Sequence, residues 1–97
     1  MYNSVSDIVR NYVYIKAFIV EHRELTIERL MMLLYVYNEG RRIDLKSLVR
    51  VFDCSEQMLV RLKKILIELG YMEDNYNMII SDKGLRLIDE FKKGLRG

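Results

Sequence analysis

Gln57, Val60, Arg61 and Lys64 follow one another at steps of three, one and three, the spacing that gathers side chains on one face of a helix. Their types suit the edges of base pairs. Glutamine can pair with adenine through two hydrogen bonds, arginine can do the same with guanine, and valine can touch a thymine methyl. Arg41, Arg42, Lys46, Lys63 and Lys64 carry cationic groups of the kind that meet phosphate and set position without reading sequence, and the hydroxyl of Ser55 is a further backbone donor beside them. Glu56 either accepts from cytosine or closes the start of its helix; the cap is the simpler use.

Other chemistries find no foothold. A nucleophile beside its base, paired carboxylates, a glycine-rich phosphate loop and a Cys/His cluster are all missing as recognisable spacings. The single histidine, His22, narrows the options for a general base and has no ligand-type residue at metal spacing. The chain is expected not to be an enzyme and to need no metal or cofactor.

The elements that must position these residues lie between Ile43 and Met72. A first helix runs from Leu45 to Phe52 behind Asp44, which can accept from the free N–H groups of the first turn. Asp53 and Cys54 break the pattern. Ser55 is a second N-cap, and Leu59, Leu62, Ile65, Leu66 and Leu69 behind it recur at helical spacing until Gly70 ends the helix. A short helix, a tight corner and a longer helix with a polar outer face form a helix-turn-helix, whose second helix can enter a DNA major groove.

Charge is placed accordingly. The net charge of the 97 residues is only +2, yet residues 41–70 hold seven Lys/Arg against four Asp/Glu, while residues 1–40 carry a net −1 and residues 71–97 are balanced. A phosphate-facing surface confined to one element predicts that pattern. With 51% hydrophobic residues, a chain this short forms one domain and gains from oligomerising. No apolar run reaches the 18 or so residues of a membrane span and no cleavable leader is evident, so a cytoplasmic location is expected. Cys54, alone, is read as a buried spacer in the corner rather than a redox sensor.

The flanking segments are helical. Residues 1–21 form a helix capped by Ser4 or Ser6, in which Val5, Ile8, Tyr12, Ile15 and Ile19 keep alternating steps while Val9, Val13, Phe18 and Val20 widen the stripe. Thr26 caps a helix over 27–38, apolar all round from Leu30 to Tyr37 and therefore central. Ser81 caps a last helix over 81–95 with an apolar stripe of Leu85, Ile88, Phe91 and Leu95.

SLVRVFDCS followed by LVRLKKILIELGYM resembles the helix-turn-helix of the winged-helix regulators, in particular the multiple-antibiotic-resistance regulator family and similar small proteins of archaea and their viruses. Leu25-Thr26 with Asn38-Glu39-Gly40, and Ile80-Ser81-Asp82-Lys83-Gly84-Leu85, match in the right order, so the resemblance spans residues 25–93 or so. It implies a mostly α fold with a small β-hairpin. Arg41-Arg42-Ile43 would pair with a wing at 71–80, formed by Tyr71-Met72-Glu73 and Asn77-Met78-Ile79-Ile80 around Asp74-Asn75-Tyr76, residues that suit a tight turn. The wing is shorter than the family's and acidic at Glu73 and Asp74, leaving Asn75, Tyr76 and Asn77 as its donors to phosphate or sugar.

The resemblance also implies a homodimer in which the first and last helices interlock, Val5, Ile8, Tyr12, Ile15 and Ile19 of one chain meeting Ile88 and Phe91 of the other. The expected function is sequence-specific binding of double-stranded DNA by a dimeric transcriptional regulator, on a palindrome with half-sites one helical turn apart. No effector is specified. The alternative is a winged-helix module that binds protein instead of DNA, which the low net charge and acidic wing would suit.

Overall fold

A computed structural model of the chain describes residues 5–40, 45–75 and 77–95, the side chains of 5–8 excepted. Five helices follow in order: α1 (Val5–Glu21), α2 (Ile27–Glu39), α3 (Leu45–Phe52), α4 (Glu56–Glu68) and α5 (Asp82–Lys93). Three N-caps have the chemistry their residue types promise. Thr26, Ser55 and Ser81 are extended, and their side-chain oxygens accept from Arg29 N, Met58 N and Gly84 N, three residues on. The Asp44 cap and the strand expected at Arg41-Arg42-Ile43 lie outside the described residues.

The core gathers around α2. Leu30, Met32, Leu33 and Val36 are buried, and α2 packs against both α4 and α5, as the all-round apolar run requires. Leu48 of α3 joins Leu59, Leu62 and Leu66 of α4 in the same cluster, with Leu45, Val49 and Phe52 packed against it. From α5 come Leu87, Ile88 and Phe91. Phe91 meets Phe18 of α1 edge-on at 5.0 Å and Tyr14 at 5.4 Å, and the Tyr14 hydroxyl donates to the Phe91 carbonyl at 2.8 Å. No helix among the described residues is long and apolar enough to cross a membrane.

Two expectations are corrected here. The first is the β-hairpin: the fold is helical, and among the described residues no strand forms, so the winged architecture with its 71–80 wing is not present. Met72 and Ile80 make a single antiparallel bridge, and Glu73 N donates to Ile79 O at 2.9 Å. At the tip Asn75 Oδ1 accepts from Asn77 N at 3.0 Å, a side-chain turn that holds the loop locally without strand pairing. Met78 is turned into the core. Residues 71–81 are thus a loop that folds back once.

The second concerns the helices that were to interlock with another subunit. Ile88 and Phe91 are buried in the chain's own core, where α1 supplies Phe91 with aromatic partners that periodicity alone could not locate. Ile15 and Ile19 are half-buried against that same core. Tyr12 is exposed, and the side chains of Val5 and Ile8 lie outside the described residues. Leu85, expected in the α5 stripe, is exposed; Leu87 takes the inward place.

Candidate nucleic-acid interface

The corner between α3 and α4 fixes how α4 is presented. Asp53 turns the chain with φ of 50°, a left-handed conformation that a short polar residue tolerates. Cys54 is half-buried against the core, and Ser55 starts α4 by accepting from Met58 N at 3.2 Å. At the other end Gly70 has φ of 87°, with Gly70 N bonded to Ile67 O and Tyr71 N to Leu66 O, the paired bonds of a Schellman motif.

Three carbonyls just past α4 are then taken by residues at the start of α5. Lys83 Nζ donates to Leu69 O at 2.7 Å, Ser81 Oγ donates to Gly70 O, and Ser81 N donates to Tyr71 O at 3.0 Å. Leu69 O, at the C-cap, is a group that a helix terminus leaves unsatisfied, and a lysine there also suits the negative end of the α4 dipole. The Lys83 ammonium stands 4.5 Å from the centre of the Tyr71 ring. The Tyr71 hydroxyl donates to Glu24 Oε1, tying the α1–α2 turn to this junction. That bond, with help from Glu24's own backbone, holds the Glu24 carboxyl below the usual carboxylate range; burial and the facing Glu24 push the Tyr71 hydroxyl up.

With Leu59, Leu62 and Leu66 buried, α4 turns outward Gln57, Val60, Arg61 and Lys64, all exposed. These are the residues expected to meet base edges and phosphate, and they share one face. Glu56 lies in the first turn, where an acid suits the positive helix end. Met58, on a flank of the helix, is also exposed, which its residue type did not announce.

Lys63 is placed differently from its neighbours. It is half-buried on the flank of α4 that faces the 71–81 loop, and its ammonium donates to Asn75 O at 2.8 Å. The expected phosphate contact is therefore a strut between helix and loop. Asn75 and Asn77 are exposed at that loop beside Glu73 and Asp74, while Tyr76 lies outside the described residues.

Lys46 is exposed on α3, as is Arg50 one turn further on, and the two line a shallow depression with Ser47 and Val51. Arg50 was overlooked in the sequence, although its position four residues after Lys46 is the signal that pairs them. Arg41 and Arg42 lie outside the described residues. Compared with known proteins, the chain matches no family model, no curated protein and no solved structure.

Proposed function

We propose that the chain binds double-stranded DNA as a homodimer with α4 as the reading element, and that it regulates transcription by occupying a promoter site. The outward face of α4 carries this reading: Gln57, Val60, Arg61 and Lys64 stand together over two turns opposite an apolar inner face, with Glu68 at the far end of the same side. Gln57 and Arg61 are the base readers, with Val60 against a thymine methyl. Lys64, Lys46 and Arg50 hold phosphate, and the Ser55 hydroxyl, whose oxygen already serves as the cap, has its own proton left to donate.

The test is binding to random-sequence duplex over a salt series. With three or four cationic side chains on phosphate in each subunit, log K for the dimer should fall with log salt at a slope of about −5 to −7, from roughly 0.9 per phosphate. A slope shallower than about −2 would remove DNA as the partner. A second reading, a protein-binding module, draws on the exposed Met58 and Val60 of α4 and the apolar groove of Met31, Leu34, Tyr35, Val51 and Phe52 between α2 and α3. That shallow slope is the result it expects.

A further inference from the structure

The inner face of α1 is satisfied within the chain: Asn11 and Phe18 are buried, and Tyr14, Ile15 and Ile19 pack against the core. The opposite face is also apolar. Val9, Val13 and Val20 are 53%, 59% and 72% exposed, and with Lys16 they follow one line along the helix at steps of four, three and four. Tyr12, 58% exposed, borders that line on one side and Ala17 on the other. About three turns of valine and tyrosine facing water, interrupted only by the long aliphatic stem of Lys16, form an apolar stripe of the sort that marks an interaction surface.

We propose that this stripe is covered by α1 of a second copy, packed antiparallel across a two-fold axis that runs between the two helices at the level of Tyr14 and Ile15. This register matches all four positions of the stripe, Val9 with Val20′ and Val13 with Lys16′, each twice. A shift by one repeat in either direction leaves half the stripe uncovered. Charge selects the same arrangement. Arg10 and Glu21 lie on one flank of the stripe, near opposite ends, and a two-fold of this kind sets like flanks together, so Arg10 comes beside Glu21′ and Glu21 beside Arg10′. The five donors of a guanidinium allow this alongside contacts within its own chain. Parallel pairing would instead stack Lys16 on Lys16′ and turn the charged flank toward Tyr12′.

In the antiparallel pair the Lys16 stem lies over Val13′ with its ammonium reaching water, and the two ammonium groups stand about one turn apart across the axis. Their repulsion, and the small area that one helix face can bury, place this contact with the weak interfaces of less than roughly 1,200 Å². The inference supplies the surface for the homodimer proposed above. Its test contains no DNA, so either reading can fail alone.

Sedimentation velocity of the full chain from about 5 μM to about 1 mM should show a monomer–dimer equilibrium, concentrations that bracket a weak interface. Val13→Lys, at an exposed site, should weaken the dimer at least about tenfold with the helical circular dichroism unchanged. Lys16→Leu should tighten it about tenfold, since a charged residue on a helix seam costs stability. In a Cys54→Ser background, a mixture of Val9→Cys and Val20→Cys chains should oxidise to the 9–20′ disulfide. The 9–9′ pair should not form, because its sulfurs would stand roughly 16 Å apart along the axis. A monomer at every concentration would overturn the proposal. So would 9–9′ bridges forming as readily as 9–20′, or a Lys16→Leu chain no tighter than wild type.

Discussion

Gly84→Ala sets two opposing effects against each other. Gly84 lies in the first turn of α5, where replacing glycine by alanine ordinarily stabilises a helix by up to about 1 kcal/mol through backbone entropy. A Cβ on Gly84, however, would stand 2.2 Å from Tyr71 O and 2.6 Å from Ile80 Cγ2. The nearer neighbour is backbone and cannot swing aside, so α5 must move by about 1 Å, an overpacking that costs about 1–3 kcal/mol. The same movement stretches the bonds from Ser81 to Gly70 O and Tyr71 O, each worth about 1 kcal/mol net. Destabilisation therefore wins, by about 2–4 kcal/mol. For a domain of this size that lowers the melting temperature by roughly 10–25 °C, measurable by circular dichroism at 222 nm with a urea titration as a check. A melting temperature equal to or above wild type would show that α5 does not rest on Tyr71, and with it the junction that anchors the end of α4 would go.

Leu59→Ala removes a side chain with no exposed surface beneath the outward face of α4 and should cost about 2–5 kcal/mol in a urea titration; an unchanged midpoint would place Leu59 outside the core. Because Glu24 has a lower pKa folded than unfolded, its contribution is fully present above the ordinary carboxylate value of 4.5 and is lost as pH falls through the folded value. Between about pH 5 and pH 3 the wild type should then lose melting temperature faster than Glu24→Gln, and parallel curves would sever the Glu24–Tyr71 bond from stability. On an established binding site, Arg61→Ala should cost about 1–3 kcal/mol and relax preference at one base pair, whereas Lys64→Ala should weaken all sequences alike. Uniform losses in both would take base reading away from Arg61.

The α3–α4 pair was legible because both helices carry local signals. Ser55 caps by residue type, Gly70 ends by its freedom to take positive φ, and Leu48, Leu59, Leu62 and Leu66 keep helical spacing along their inner faces. What failed depended on contacts distant in sequence. Phe91 looked unpartnered because Phe18 and Tyr14, more than seventy positions away, supply its partners, and Ile88 is buried in the same core. On α1, apolar residues occur on both faces, so periodicity could not say which face turns inward; the structure buries Phe18 and leaves Val9, Val13 and Val20 outside. The hairpin was expected from the family resemblance and its turn-forming residues; the turn residues are there, with Asn75 Oδ1 accepting from Asn77 N, but among the described residues only the Met72–Ile80 bridge pairs beside them. The charge of Lys63 was visible, and its use as a strut followed only from the path of the loop that brings Asn75 O to it.

That strut bears on how α4 could discriminate between sequences. The helix is held at its start by the Ser55 cap, at its end by the Gly70 turn and the α5 residues on its carbonyls, and on one flank by Lys63. A partner therefore meets a face whose backbone is already set, and the ordering cost of binding falls on side chains alone, about 0.5–1.5 kcal/mol for each long one immobilised. Gln57, Arg61 and Lys64 each carry that cost, while Val60, with a single stiff torsion, carries almost none. A thymine methyl against Val60 would thus add apolar contact without an entropic offset, whereas Arg61 must recover its offset through two hydrogen bonds to one guanine. Arg61 recovers it only when that base is present, so discrimination should reside chiefly at the Arg61 position and tolerance at the Val60 position. A binding-site selection in which the base pair facing Val60 was the more tightly specified of the two would contradict this division.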